Sequence, residues 1–145
     1  MTIFRMHGDR HAVFDTSGAV FREGRWHLRG TRVVYAAQHV SLAALETLVH
    51  ANSQTLPPKR LTEIEVPAQV AVEYAEWMDR ADSQSFGSRW VEEARTAVLA
   101  VPSIVVQRME LNFVLNPAHP EFAKITHGAA RLFAFDTRFF AGAAR

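Results

Sequence analysis

Turn-forming residues cut this chain into short pieces and bound several of its runs of secondary-structure signal. The β-branched stretch Thr31 to Ala36 (TRVVYA) starts directly after Gly30, and Thr62 to Val66 (TEIEV) stops at Pro67. Leu111 to Leu115 runs into NPAHPEF at residues 116–122, and Ile104 to Val106 and Arg131 to Phe135 read as two further strands. In TEIEV, Ile64 and Val66 fall on one side and Glu63 and Glu65 on the other, the alternation of a half-buried strand. Two segments carry helical spacing instead. Ser41 can cap a helix whose apolar stripe is Leu42, Leu45, Leu48 and Val49, ending at Asn52 and Ser53. Residues 88–100 (SRWVEEARTAVLA) place Trp90, Val91, Ala94 and Val98 at helical spacing, with Glu92 and Glu93 in the early turns and Pro102 barring continuation. Strands and helices mix without repeat or linker, which predicts one α+β domain over residues 1–145, a mixed β-sheet with flanking helices.

Composition narrows the chemistry. Of 145 residues, 48% are apolar and 21% charged, enough to bury a core. Sixteen basic side chains against fifteen acidic leave no global field that demands nucleic acid or an anionic membrane, so any anion specificity is local. No apolar run reaches the roughly 18 to 20 residues of a spanning helix, and MTIFRMHGDRH lacks the apolar centre of a signal peptide, so a cytoplasmic location is expected. With no cysteine there is no disulfide, thiolate nucleophile or thiolate zinc site, and catalysis must use oxygen or nitrogen groups.

The loop GRWHLRG, residues 24–30, concentrates cations and an aromatic between glycines. Arg25 can hold a phosphate or pyrophosphate bidentately and Trp26 can wall a flat ring; alternatively Trp26 is core, and Arg25 and Arg29 are solvated. Neither GxxxxGK[ST] nor GxGxxG occurs, so ATP-dependent chemistry loses support. Glu46 sits among apolar neighbours in LAALETLVH, where a carboxylate needs a partner or a use; the plain alternative is a contact with His50 at i,i+4, worth about 0.2–0.5 kcal/mol. His7 and His11 form an HxxxH pair with Asp9 or Glu46 as conceivable third ligand, but Gly8 and Asp9 disfavour a helix and no HExxH occurs, so no metal site is expected. Taken alone, Tyr35 is a core aromatic and Ser103 a turn residue after Pro102.

The order of these pieces resembles the RES domain family nearly end to end. Arg5, GRW at 24–26, Tyr35, SLAALETLVH at 41–50, VP at 66–67 and Trp90 before VPS at 101–103 carry the resemblance. ELN at 110–112, NPAHPEF at 116–122 and FDTR at 135–138 continue it, and the arginine, glutamate and serine of the family name fall on Arg25, Glu46 and Ser103. The resemblance implies the fold of ADP-ribosyltransferase toxins, which bind NAD across a split mixed sheet, and the toxin role in a bacterial toxin-antitoxin pair. It implies NAD as substrate, with no further cofactor: family members degrade it by hydrolysis or phosphorolysis, and one branch transfers ADP-ribose to a protein. The implied partner is an antitoxin with a helix-turn-helix DNA-binding part that covers the active site, so that DNA is contacted only through the partner.

By that resemblance Glu46 stabilises the oxocarbenium character that develops on the ribose, or orients the acceptor. Arg25 and Arg5 bind the pyrophosphate, Tyr35 stacks on nicotinamide, and Ser103 hydrogen-bonds the carboxamide or a ribose hydroxyl. Asn112, Asn116 and His119 could equally build the loop that shapes the pocket, and none is assigned a catalytic role. His27 stands where the family often has asparagine and is assigned no role, and the tail AGAAR at 141–145 is expected to fray. Two non-NAD readings remain: an interaction module, and an RNA-cleaving toxin, for which no clustered basic stripe exists.

Overall fold

Alternating burial along short strands builds a single sheet in the computed structural model, which describes residues 1–51 and 55–140. Its strands are β1 (Thr2–His7), β2 (Val34–Ala37), β3 (Lys59–Glu65), β4 (Val72–Tyr74), β5 (Val98–Pro102), β6 (Leu111–Leu115), β7 (Thr126–His127) and β8 (Arg131–Phe133). They run in the order β4-β5-β6-β2-β1-β3-β7, with β8 also pairing β3. Only β4 and β5 are parallel among the described pairs, so the sheet is mixed. Three helices flank it: α1 (Ser17–Phe21), α2 (Val40–His50) and α3 (Arg80–Glu92). This is the expected α+β class.

Strand β5 shows how the sheet partitions the core. Val98 and Ala100 join Ile3, Ile64, Phe113 and Leu115 on one face. Leu99 and Val101 face the other way, toward Trp26, Trp90 and Val114 under α3. Trp90 is wholly buried and its indole donates to the Thr96 hydroxyl at 2.9 Å. A smaller cluster of Ala37, Leu42 and Ala43 seats α2 against Phe4 and Met6 of β1.

Several expectations need correction. The helix expected over 88–100 is divided between the end of α3 and β5, because Ala94 adopts a left-handed φ of 50° and ends the helical path. Ile104 to Val106 is not a strand but part of the hairpin loop joining β5 to β6. The strand lies upstream because Val98 to Val101 are buried on both faces, a continuous apolar run without the alternation that marks a half-exposed strand. Helix α2 starts at Val40 after His39, so Ser41 lies inside it and does not cap it. The expected helix end at Asn52 and Ser53 and the tail at 141–145 lie outside the described residues.

The sheet is pinched at its centre. β1 pairs β3 at six successive positions, from Thr2 with Glu65 to His7 with Arg60, but it meets β2 only at Phe4 with Ala37. Along Arg5–Met6 and Tyr35–Ala36 the two strands have no ladder pair, and a groove runs between them.

GRWHLRG lies outside the sheet; the Gly24 amide donates to the His27 carbonyl within the loop, and α3 satisfies further groups. Gln84 donates its amide to the Gly24 carbonyl at 3.0 Å and the Ser83 hydroxyl donates to that of Arg25 at 2.5 Å. The Leu28 amide donates to the Ser88 hydroxyl at 2.9 Å, and Ser88 also bonds Thr31. Gly87 lies between these residues on the same helix face, and a Cβ there would collide with the Trp26 carbonyl. His27 fastens the loop from within. Its Nε2 faces the carbonyls of Arg22 at 2.8 Å and Ala19 at 3.1 Å, which only accept, so Nε2 carries the proton. Its Nδ1 then accepts from the Tyr35 hydroxyl at 2.6 Å, which itself accepts from the Trp26 amide at 3.2 Å.

Gly87→Ala should therefore destabilise the fold by about 1–3 kcal/mol, the usual cost of forcing atoms into a filled contact. Gly18→Ala, where a Cβ meets nothing within 4 Å, should not, and urea melts of both variants check the pair. A second outcome concerns acid. His7, 6% exposed, donates from Nδ1 to the His11 carbonyl at 2.9 Å and accepts at Nε2 from Thr62 at 2.8 Å. Burial holds its pKa below the ordinary 6.5, so the unfolded chain takes up the proton first. The His7 contribution to stability is full above about pH 6.5 and is lost as pH falls through the folded pKa. In thermal melts from pH 7.5 to 5, the wild type should lose more stability than His7→Gln.

Candidate functional site

A cleft of about 600 Å³ occupies the parting between β1 and β2. That volume is within the range of small-ligand and cofactor sites. β1 contributes Phe4, Arg5 and Met6 to it, β2 contributes Tyr35 to Ala37, and α2 contributes Glu46 and His50. Gly24 to Trp26 close one side and the β5-β6 hairpin another.

Glu46 is the carboxylate that the cleft is built around. Its Oε1 accepts hydrogen bonds from the Ser103 hydroxyl at 2.8 Å and the Asn112 amide at 2.7 Å. The i,i+4 contact with His50 does not form, because the side chain turns toward the hairpin. Hairpin register brings the two donors together: Val101 pairs Asn112, Pro102 pairs Leu111, and the Ser103 amide donates to Glu110 at 2.9 Å. The loop between them holds Gln107 and Arg108 at φ of 56° and 66°, and the Arg108 amide donates back to the Ser103 carbonyl at 2.6 Å. Ser103 is thus more than a turn residue. It is 1% exposed and spends its hydroxyl proton on Glu46.

The cations are held nearby. Arg5 donates from one terminal nitrogen to the Tyr35 carbonyl at 2.8 Å, while its Nε is buried without a partner. Burial pulls its pKa down to about 10, partly opposed by Asp15, so it stays protonated at neutral pH and its remaining donors favour an anion. Arg25 donates to the Met78 carbonyl at 2.7 Å and lines the cleft, as do Arg22 and Arg80, which sequence reasoning missed. Those two carry no local signal; only the packing of α3 and of the loop after α1 brings them there.

Tyr35 lines the cleft with its hydroxyl already engaged by His27 and Trp26, and burial pushes its phenol pKa well up. It can offer a ligand its ring but not a free hydroxyl. Trp26, at 2% exposed, is chiefly core, edge-on to Phe86. His27, which sequence reasoning left without a role, is the buried strut behind both residues.

Other candidates go elsewhere. His7 lies in β1 bonded to Thr62, His11 pairs Asp15 at 2.6 Å, and Asp9 pairs Arg60 at 2.6 Å. Among the described residues no three His, Asp or Glu side chains converge as metal ligands. Asn116 accepts from the Ala118 amide at 3.1 Å and His119 from that of Glu121 at 3.0 Å. They build the turn after β6, which does not line the cleft; Asn112 alone of that group does.

Comparison with known proteins adds a separate line of argument. The RES domain model matches residues 2–136. The Prs ADP-ribosylating toxin of Sphingobium sp. (strain YBL2) is 42% identical over 136 residues, covering 84% of this chain and 83% of that protein. Toxin Res of Yersinia enterocolitica is 36% identical over 132 residues, covering 83% and 86%. Among solved structures, a chain of the M. tuberculosis MbcT-MbcA toxin-antitoxin complex matches with a TM-score of 0.76. The match covers 92% of this chain and 84% of that one at 15% identity, a likeness of fold. A match running from β1 through the loop, Glu46 and the Ser103 hairpin, with relatives above 30% identity along most of its length, makes this chain a member of the RES domain family.

Proposed function

We propose that this chain is the toxin of a toxin-antitoxin pair and that it degrades NAD by breaking the bond between nicotinamide and ribose. The observation that carries the proposal is Glu46: one oxygen is held by two donors, in a dinucleotide-sized cleft lined by arginines. Arg5 and Arg25 take the pyrophosphate, and the Tyr35 ring faces nicotinamide. As the bond breaks, its electron pair passes to the ring nitrogen, nicotinamide leaves neutral, and the ribose gains oxocarbenium character. The Glu46 carboxylate stabilises that charge more than it does the ground state. Water or phosphate then adds through oxygen, and a water acceptor gives up its proton to Glu46 or solvent.

The 42% identical relative named an ADP-ribosylating toxin favours a second reading, in which a protein side chain takes the ADP-ribose at the same site. For the partner we propose an antitoxin with a helix-turn-helix part; the structural neighbour comes from a toxin-antitoxin complex. We place the pair in the cytoplasm, in keeping with the absence, among the described residues, of a helix long and apolar enough to cross a membrane.

Nicotinamide release from NAD by the purified chain, with and without phosphate, tests the scheme. Glu46→Gln should lower kcat by about 100- to 1,000-fold, as the loss of a preorganised electrostatic stabiliser does. Arg25→Ala should chiefly raise KM, with melts confirming that both variants fold. Product mass separates ADP-ribose from its phosphorylated form, and label transferred from NAD to one protein identifies the second reading. A chain that neither binds nor consumes NAD overturns both.

A further inference from the structure

We infer that Asn112 is a positioning residue for Glu46, setting which carboxylate oxygen meets the substrate. The inference rests on the reading of Glu46 as the transition-state stabiliser. A carboxylate oxygen has two lone-pair directions, and on Oε1 both are used, by the Ser103 hydroxyl and the Asn112 amide. Oε2 accepts from no described residue and is the oxygen left for the cleft. An ionised carboxylate only accepts, so Asn112 must present its NH₂ group here.

The two donors stand on different parts of the hairpin. Asn112 stands in β6 between two paired strands, opposite Val101 of β5 and Ala37 of β2. Its neighbour Leu111 is further tied, backbone amide to Gln38 Oε1, at 2.9 Å. Ala37 ends β2, and Gln38 and His39 then lead straight into the helix that carries Glu46. One strand pairing therefore places both the amide and the carboxylate. Ser103 sits at the mouth of the hairpin loop, next to the segment with two consecutive left-handed residues. The amide reaches Oε1 from the strand that also leads into the helix of Glu46, and the serine reaches it from the loop side.

Asn112→Leu keeps the branched outline of the side chain, with bulkier methyl groups in place of the amide, and removes the donor. In NAD turnover it should lower kcat by about 100-fold with KM within about two-fold of wild type, since misplacing a reacting group by an ångström costs on that order. A merely structural role would instead lower the melting temperature and leave kcat per folded molecule unchanged, which overturns the inference. Crystal structures of wild type and Asn112→Leu give a readout independent of turnover: Glu46 should leave Ser103 or occupy more than one rotamer. An unmoved Glu46 overturns the inference even if the wild type cleaves NAD. A wild type inactive on NAD, with Glu46 displaced in the variant, sinks the proposed reaction and keeps the positioning role. Should Asn112→Leu fail to fold, Asn112→Ala, which also lacks a donor, carries the same comparison.

Discussion

The contact on which the rest of the structure depends is the seating of the loop at 24–31 against the polar face of α3. Ser83, Gln84 and Ser88 satisfy loop groups that no strand can reach, and Gly87 lets the helix approach until its backbone meets Trp26. Buried backbone groups left without partners would each cost about 1–3 kcal/mol, so the loop and the helix stabilise one another or neither is placed. From that seam Trp26 enters the core, the Trp26 amide and His27 grip the Tyr35 hydroxyl, and Arg25 reaches Met78 on the approach to α3. One wall of the cleft is thereby made rigid before any ligand arrives, which is the condition for electrostatic preorganisation.

The opposite wall owes its form to a missing ladder. β1 and β2 pair only at Phe4 and Ala37, although each is fully paired with its other neighbour, and the groove lies where that one ladder is missing. Burial then concentrates charge in the gap: Arg5 remains cationic there despite its depressed pKa, and Glu46 is anchored on Oε1 across the hairpin from Ser103 and Asn112. Arginines and a carboxylate are thereby held apart on separate elements of one cleft.

Much of the fold was legible where local chemistry announces itself. LNFVL became β6 as expected, TEIEV lies in β3 apart from its last residue, and the apolar stripe from Leu42 marked α2. The misses share a cause. α3 buries serines, a glutamine and a glycine, so no apolar period betrays it, and the helical spacing from Trp90 to Val98 runs across its end into β5. β5 is apolar on both faces, a pattern that a helix can imitate as well as a strand. Among site residues, Arg5, Arg25, Glu46 and Tyr35 were singled out and all line one cleft, with Ser103 buried behind Glu46. Asn112 was named without its function, because residues 46 and 112 meet only through the pairing of β6 with β2.

Residue types and their order along the chain determined the class of fold, the chemistry open to it and its family: short turn-bounded strands, no thiol, and arginine, tyrosine, glutamate and serine in a fixed succession. These are local or sequential properties, carried by propensity and by pattern. Tertiary structure alone decided that His27 is a strut, that Trp26 is chiefly core, and that Asn116 and His119 stand apart from the cleft. It alone decided which oxygen of Glu46 is left for the cleft. Such facts depend on which distant groups fill a lone pair or exclude a Cβ, and contacts across tens of residues leave no trace in any window of the sequence.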